Sequence, residues 1–234
     1  MSDHNDTAII MCVYKRVHRL QHTIDMLRSQ TVRDFDFHIW NNNPDAKAEV
    51  DQIVTDNLDV VTTTRHSENI GGVGRFHRAK EIADQVKHII FFDDDQDFHP
   101  ELVHNMIECY EENTITAWWA WHIPDGNAYA RRARIRDSST QPGRPINYCG
   151  TGGMIIDPVI FKTLDLADLP NEYSFIEDLW LSYVAKYEYG YKLVARQFPI
   201  WIQYKDEHAL WKKISMKGKD NFLQILRAKY ESGK

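Results

Sequence analysis

Short apolar segments alternate with helical segments over the first hundred residues, and this alternation is the feature that most constrains the fold. Each apolar run has the length of one buried strand, and apolar residues at helical spacing follow the first run from Val17 to Leu27. Strands separated by helices at this interval predict parallel βαβ units with right-handed crossovers. The sequence therefore predicts an α/β fold that begins with a doubly wound sheet. The four runs that predict its strands are 7–14, 36–40, 58–63 and 88–92.

The second half of the chain has a different pattern. Residues 116–145 contain three tryptophans and the basic segment 131–136, and they predict a short strand followed by a long loop. Long loops in compact domains are usually functional or mobile. Further elements are predicted on either side of this loop. The predicted helices are 99–112, 175–188 and 220–230, and the predicted strands are 154–156, 191–195 and 199–204.

Composition excludes several classes of protein. The chain has 234 residues, of which 43% are hydrophobic and 26% charged, as in ordinary soluble globular proteins. A net charge of -6 disfavours a general nucleic-acid binder, which needs excess Lys and Arg. The three cysteines, Cys12, Cys109 and Cys149, are too far apart to indicate a zinc site or a disulfide framework. Because neither a signal peptide nor a membrane-spanning segment is predicted, we expect a cytoplasmic protein.

A run of acids follows the fourth apolar segment directly. Asp93, Asp94, Asp95 and Asp97 lie where that predicted strand ends, and ligands of open α/β sheets bind at this edge. In extended backbone Asp93 and Asp95 point the same way, so both can reach one divalent cation. The alternative is an acidic turn that caps the helix beginning near Pro100. The metal site is favoured because four neighbouring like charges repel one another unless a cation is bound.

Several segments, in order along the chain, resemble the GT-A glycosyltransferases, and specifically the broad family 2 that uses nucleotide-diphosphate sugars. The resemblance implies a GT-A fold, a Rossmann-like mixed sheet flanked by helices in one compact domain. It implies a nucleotide-sugar-binding half at 1–97, an acceptor-binding and catalytic half at 98–204, and a C-terminal loop and helix at 205–234. The segments that carry it are 9–16, 37–42, Arg65 with 69–72, the D-x-D motif 93–95, 150–153 and 177–179.

The same resemblance implies the metal and the donor contacts. Asp95 would bind Mn²⁺ or Mg²⁺, Asp93 would contact the metal or the donor, and His208 would complete the metal shell. Asn41 stands where the family commonly has an acidic residue that binds uracil, and its amide oxygen can accept the same hydrogen bond, so a UDP-sugar is favoured. Asn41 is otherwise a plain turn residue. The residues expected to contact the donor are Val13, Tyr14, Arg16, Asn41, Asn69, Gly71, Gly72, Arg75, Asp93, Asp94, Gly152 and Gly153.

Glu177 and Asp178 are the candidate catalytic residues. Ser174 and Glu177 fit the capping box S-x-x-E, which would occupy Glu177 at the start of the helix. Asp178 lies off the apolar stripe of that helix and is left to act as general base. The resemblance then implies inverting transfer of one sugar to a hydroxyl acceptor on a glycan, a lipid or a protein. A metal-dependent phosphohydrolase and a non-catalytic nucleotide-sugar-binding module are the alternatives.

The acceptor side is less defined by the sequence. Trp118, Trp119 and Trp121 are expected either to stack on an acceptor sugar or to belong to a buried strand. The arginines of 131–136 would bind diphosphate or an acidic acceptor, or else form a solvated face. The sequence contains neither the Q-x-x-R-W motif nor the membrane helices of the processive polysaccharide synthases, so addition of a single sugar is expected.

Overall fold

The computed structural model describes residues 5–126, 128–202 and 215–231. One large sheet runs through the molecule, with strands in the order β3-β2-β1-β4-β8-β6-β7 and with β9 paired to β6. The strands are β1 (Thr7–Val13), β2 (Phe35–Asn41), β3 (Val61–His66), β4 (His88–Asp93), β5 (Gln96–Phe98), β6 (Thr114–His122), β7 (Ala133–Ile135), β8 (Tyr148–Ile156), β9 (Lys192–Ala195) and β10 (Ile200–Ile202). The helices are α1 (Leu20–Arg28), α2 (Lys47–Thr55), α3 (Gly74–Ile82), α4 (Leu102–Glu108), α5 (Val159–Thr163), α6 (Glu177–Tyr187) and α7 (Met216–Tyr230).

The first four strands form the parallel half that the sequence predicts. β1 lies between β2 and β4 and is parallel to both, with Val13 opposite Asn41 and Cys12 opposite Asp93. Because parallel strands point the same way, their carboxyl ends meet at one edge of the sheet. The acidic run is therefore brought next to the end of β1.

The rest of the sheet is mixed. β8 pairs antiparallel with β4 and with β6, β7 pairs antiparallel with β6, and β9 is parallel to β6. β10 leaves this sheet and pairs with β5, the short strand directly after the acids. The mixed sheet flanked by helices confirms the predicted fold class.

Residues 150–153 are a correction to the sequence prediction. They were expected to form a loop before a strand, but they lie within β8, which is buried along its whole length. Glycines weaken a strand and commonly mark a close approach of another group. Here Trp119 packs directly on Gly150, and the Asp93 carboxylate packs on Gly152. The glycines therefore serve contacts across the sheet, which local sequence does not reveal.

Several element boundaries also differ from the prediction, among them the start of the third strand and the start of α6. The third strand was expected at 58–63 and is observed at Val61–His66, because the carbonyl of Asn57 accepts the N–H groups of Val60 and Val61 in a turn. The predicted capping box does not form. α6 begins at Glu177 itself, and its N-cap residue Ile176 has no side-chain cap hydrogen bond.

The core lies on both faces of the sheet. One cluster contains apolar side chains of α3, α5, α6 and α7, and the other contains those of α1, α2 and α4. Helices on both faces of a largely parallel sheet form a three-layer α/β/α architecture. Among the helices that the structure describes, none combines the length and apolar character needed to cross a membrane.

Candidate active site

A cleft opens at the carboxyl edge of β1 and β4. It encloses about 820 Å³, including the space open to solvent at its mouth. Eight of the residues predicted to bind the donor, the metal or both lie in its wall, together with both predicted catalytic residues. These ten are Val13, Tyr14, Arg16, Gly72, Arg75, Asp93, Asp94, Asp95, Glu177 and Asp178. The fold thus brings into one cleft residues as distant in the sequence as Val13 and Asp178.

Asp94 is held by the first strand and by Arg16. Its Oδ1 lies 2.5 Å from Nη1 of Arg16, and its Oδ2 accepts a hydrogen bond from the backbone N–H of Tyr14 at 3.4 Å. Burial raises the pKa of Asp94 even though Arg16 acts in the opposite direction. Asp94 is therefore a structural residue that fastens the acidic turn to β1.

Asp97 turns away from the cleft. It accepts a hydrogen bond from Nη2 of Arg19 at 2.5 Å and lies 3.0 Å from Nε2 of His22. Asp97 is therefore absent from the cleft wall, which Asp93, Asp94 and Asp95 line.

Arg75 connects the acidic run with the catalytic pair. Its Nη1 donates to Oδ1 of Asp93 at 2.9 Å, and its Nε lies 3.9 Å from Oε1 of Glu177. Burial alone would lower the pKa of Arg75, but the neighbouring carboxyl groups of Asp93 and Glu177 raise it. The expected contact of Arg75 with a phosphate stays a prediction, and in the structure its side chain is used to hold two carboxylates.

Asp93 and Asp95 have the chemistry of a divalent-cation site. Burial, and then the nearby charge of Asp93, raise the pKa of Asp95 to about 7. A bound cation would remove this penalty. Within the described ranges no three His, Cys, Asp or Glu side chains are grouped to hold a metal by themselves. Mg²⁺ is usually bound through one or two carboxylates plus substrate phosphates, so a pair of aspartates fits the group.

Glu177 and Asp178 occupy different surroundings at the start of α6. Glu177 is buried against the backbone of Gly72 and beside Arg75, and burial raises its pKa to about 8. Oδ1 of Asp178 accepts a hydrogen bond from the backbone N–H of Leu179. Oδ2 of Asp178 lies close to Gly150, at 3.5 Å from where a Cβ on that glycine would be. Burial, with a contribution from Asp93, raises the pKa of Asp178 to about 6. The two carboxylates are therefore not equivalent.

Asn41 does not face the cleft. It is fully buried, its Nδ2 contacts the carbonyl of Asn43 and Nδ1 of His66, and its Oδ1 accepts the N–H of Asn43. Asn41 shares the side of β2 that carries Phe37 and Ile39, since side chains of a strand alternate, and this side packs into the core. The interpretation of Asn41 as a plain turn residue fits this geometry, and the uracil contact has no geometric support.

Four further predicted residues surround the cleft without lining it. Oδ1 of Asn69 accepts the N–H of Gly71, and the carbonyl of Gly71 accepts Nδ2 of Asn42 at 2.8 Å. Gly152 packs against the carboxylate of Asp93, because a Cβ at Gly152 would lie 2.5 Å from Oδ2 of Asp93. Gly153 packs on Trp118 and Ile200, away from the cleft. His208 lies outside the described residues.

Sequence reasoning missed five residues of the cleft wall. Asn42 and Lys15 are neighbours of predicted residues, so widening each motif by one position would have included them. Burial raises the pKa of Cys12 to about 11, so Cys12 is a protonated thiol and no nucleophile. Thr151 lies within the predicted segment 150–153, so including the whole segment would have found it, whereas nothing local distinguishes Phe175. The five are Cys12, Lys15, Asn42, Thr151 and Phe175.

Known structures with similar folds bind nucleotides. The mannosyltransferase PcManGT from Pyrobaculum calidifontis, in complex with GDP-Man and Mn²⁺, has a TM-score of 0.67 and 11% identity, over 96% of this chain and 65% of that chain. GalNAc-T7 with UDP, GalNAc and Mn²⁺ has a TM-score of 0.63 and 12% identity, over 88% and 45%. Residues 1–349 of S. aureus TarS with UDP-GlcNAc have a TM-score of 0.61 and 13% identity, over 88% and 60%.

Each of these proteins is considerably longer than the present chain, which spans between 45% and 65% of their lengths. At such low identity the likeness shows the fold. Among curated proteins, no sequence matches the chain significantly.

The family is shown by a match over most of the sequence. The sequence profile of glycosyl transferase family 2 matches residues 8–182, from the second residue of β1 to the middle of α6. This range includes the acids after β4 and the candidate catalytic residues Glu177 and Asp178 at the start of α6. The chain therefore belongs to glycosyl transferase family 2 and has the GT-A fold.

Proposed function

We propose that the protein is a metal-dependent glycosyltransferase that moves one sugar from a nucleotide-diphosphate sugar to a hydroxyl group. The observation that carries this proposal is that Asp93, Asp95 and Asp178 line the same cleft. The first two can hold a cation and its phosphates, and the third can accept a proton. Family membership supports the same reaction.

Asp93 and Asp95 would hold Mn²⁺ or Mg²⁺ together with phosphate oxygens of the donor. The bound ion supplies positive charge to a diphosphate leaving group. Arg75 positions Asp93 through its 2.9 Å hydrogen bond, and Arg16 positions the acidic turn through Asp94. These arginines keep both metal-binding carboxylates in place before the donor arrives.

Asp178 would act as the general base. With a pKa raised to about 6, it is mostly ionised at neutral pH and is more basic than an ordinary aspartate. Asp178 accepts the proton of the acceptor hydroxyl group as the hydroxyl oxygen bonds to the anomeric carbon of the donor. At the same time the bond between that carbon and the diphosphate oxygen breaks. Attack opposite the leaving group inverts the anomeric configuration. Glu177, which faces Arg75, is the less accessible carboxylate.

The donor is proposed to be a UDP-sugar. Because Asn41 is occupied by local hydrogen bonds, the nucleobase of the donor would instead contact Val13, Tyr14 and Asn42, which line the cleft. Two of the similar structures contain UDP or UDP-GlcNAc, and one contains GDP-Man. A donor panel therefore has to include both bases. For the acceptor we propose a hydroxyl-bearing glycan, lipid or protein in the cytoplasm.

Calorimetric titration of nucleotide sugars tests the donor and the metal together. We expect at least one UDP-sugar to bind in the presence of Mn²⁺ and to bind much more weakly after chelation. Asp95→Ala should lose the dependence on Mn²⁺. The matched control is Asp97→Ala, which removes an acid of the same run that faces Arg19 and His22. If no UDP-, GDP- or TDP-sugar binds in a metal-dependent way, the proposal is wrong.

The stereochemical outcome has a test of its own. NMR spectroscopy of the product should show an anomeric configuration opposite to that of the donor. Retention of configuration would contradict the role of Asp178 as base while leaving the sugar transfer itself intact.

A further inference from the structure

Two arginine side chains lie over a row of aromatic rings beside the cleft. The rings of Trp119 and Trp121 are stacked with centroids 5.6 Å apart and planes 5° apart. The guanidinium of Arg134 lies 3.9 Å from the Trp119 ring centroid, and that of Arg132 lies 4.9 Å from Trp121 and 4.3 Å from Tyr129. We call these five side chains the arginine–aromatic patch.

Strand register explains why the patch exists. In the β6–β7 pair Trp121 is opposite Arg134, so these side chains share one face of the sheet. Trp119 and Arg132 are each two positions away along their chain segments and belong to the same face.

The patch begins next to the proposed base. Trp119 is opposite Gly150 in β8, and a Cβ on that glycine would lie 3.0 Å from Cβ of Trp119 and 3.5 Å from Oδ2 of Asp178. α6 is fixed to β8 at the same level, because Oγ of Ser182 accepts the N–H of Cys149 at 2.9 Å. A molecule that lies on the patch can therefore place a hydroxyl group at Asp178.

The patch is rich in positive charge. Nη1 of Arg132 donates to the carbonyl of Tyr129 at 3.3 Å, while its buried Nε has no hydrogen-bond partner in the described part of the chain. Lys219 of α7 lies close by, with its Nζ 5.7 Å from the Tyr129 ring centroid. Burial, and then the charge of Arg132, lower the pKa of Lys219, and Asp178 acts in the opposite direction. The two cations repel each other, and an anion between them would relieve this repulsion.

The rings also limit what the patch can bind. Because guanidinium groups already cover the Trp119 and Trp121 rings, these faces are not open for stacking on a neutral sugar. A guanidinium stacked on an aromatic ring still presents its N–H groups at the edge, in a planar fork that matches carboxylate and phosphate oxygens. The patch therefore suits an acidic group better than a neutral sugar surface.

We infer that the acceptor is an anionic saccharide, whose phosphate or carboxylate is bound by Arg132 and Arg134 while one of its hydroxyl groups reaches Asp178. This inference rests on the proposed sugar transfer and adds the chemical class of the acceptor. A phosphate and a uronic acid present the same chemistry to the arginines, so the probes must separate them.

Acceptor binding is measured by calorimetric titration with glucose 1-phosphate, glucuronic acid and glucose, on the protein alone and on the protein with UDP and Mn²⁺. We expect at least one of the two anionic probes to bind more tightly than glucose by about tenfold or more. This preference should shrink as salt is raised, because partly exposed charges are screened. The stronger of the two anionic probes identifies phosphate or carboxylate as the recognised group. Equal binding of all three probes would overturn the inference.

Arg132→Gln is the decisive variant, and Arg131→Gln is its matched control because Arg131 is an exposed neighbour. We expect Arg132→Gln to lose the preference for the anionic probe and to keep its affinity for UDP, with an unchanged melting temperature. Arg131→Gln should keep both properties. If Arg132→Gln instead weakens UDP binding and keeps the preference among probes, the arginines serve the donor and the inference is wrong.

The experiment also separates this inference from the proposed function. Failure of every UDP-, GDP- and TDP-sugar to bind with Mn²⁺ contradicts the proposed function, whereas the titrations on the protein alone still decide whether the patch prefers an anion. Binding of UDP without any preference for an anionic probe leaves the sugar transfer in place and removes only the acceptor class.

Discussion

The donor side and the acceptor side of the cleft use arginine in different ways. On the donor side Arg16 and Arg75 are bonded to Asp94 and Asp93 at 2.5 and 2.9 Å, and their side chains are only 8% and 5% exposed. On the acceptor side Arg132 and Arg134 are half-buried and lie over aromatic rings. Loss of a donor-side arginine leaves a carboxylate without its partner, whereas loss of Arg132 uncovers a ring. We therefore expect the first pair to contribute mainly to the fold and propose that the second pair binds the acceptor.

Asp178→Asn should have the largest effect, since it removes the group that lies between the two sides. Loss of a general base typically lowers turnover by about 10² to 10⁴. Donor affinity should persist, because Asp93, Asp95 and Arg75 are untouched. Steady-state kinetics and calorimetry on the same preparation measure the two quantities. A variant that keeps wild-type turnover would exclude Asp178 as the base and direct attention to Glu177.

Arg75→Gln tests the donor side as a structural unit. Removing one partner of a fully buried ion pair costs about 3 to 5 kcal/mol, and because the Asp93 side chain is 37% exposed, the loss here should be smaller than that. Chemical denaturation should show this loss of unfolding free energy. Arg132→Gln is the comparison from the acceptor side and should change stability by less than about 0.5 kcal/mol. Equal losses in the two variants would mean that the two sides do not differ.

Gly152→Ala tests whether the position of Asp93, one of the two proposed metal ligands, depends on its packing against β8. The added Cβ would lie 2.5 Å from Oδ2 of Asp93 and 3.0 Å from Nε2 of Gln96, so Asp93 has to move. Overpacking of this kind costs about 1 to 3 kcal/mol, and Mn²⁺-dependent donor affinity should fall with it. Gly150→Ala, which crowds Trp119 rather than Asp93, should keep the donor affinity. Unchanged affinity in Gly152→Ala would show that Asp93 does not need its present position.

The free energy of unfolding should depend on pH through the buried carboxyl group of Glu177. Burial raises the pKa of Glu177 from 4.5 to about 8, so between these values the folded protein holds a proton that the unfolded chain has lost. This contribution is fully present below pH 4.5 and is lost as the pH rises towards 8. Unfolding free energy should therefore fall with rising pH, by at most about 1.4 kcal/mol per pH unit for one group.

Denaturation at a series of pH values measures this slope. Glu177→Gln should reduce this slope, most clearly above about pH 7, because glutamine does not titrate and the raised pKa values of Asp178 and Asp95 are about 6 and about 7. Glu172→Gln, at an exposed position shortly before α6, is the control and should keep the wild-type slope. A wild-type slope that survives in Glu177→Gln would assign the effect to other carboxylates.

Several features of the site could be predicted from sequence because they depend on neighbouring residues. The acids follow an apolar strand directly, so 93–95 had to lie at a strand end, and the parallel pairing of β4 with β1 confirms it. The helix after Ile176 was likewise predicted from apolar spacing, and it places Glu177 and Asp178 in the cleft.

Other features could not be predicted because they depend on distant residues. The pairing of Arg16 with Asp94 joins positions 78 apart, and that of Arg75 with Asp93 joins positions 18 apart. The local hydrogen bonds of Asn41 could not be predicted for a similar reason, and its contact with a base stays a prediction. Its motif position resembles that of a base-binding residue, but packing of β2 buries its amide among Asn43 and His66.

The sequence by itself determined the order of strands and helices in the first half, the position of the acidic run at a strand end, and the family of the chain. These features depend only on the spacing of neighbouring residues and on the order of the motifs. Only the tertiary structure decided which carboxylates face the cleft, which are paired with arginine, and that the arginines after Tyr129 lie on tryptophans next to Asp178. The physical reason is that burial and Coulomb interactions depend on through-space neighbours, and strand register selects those neighbours.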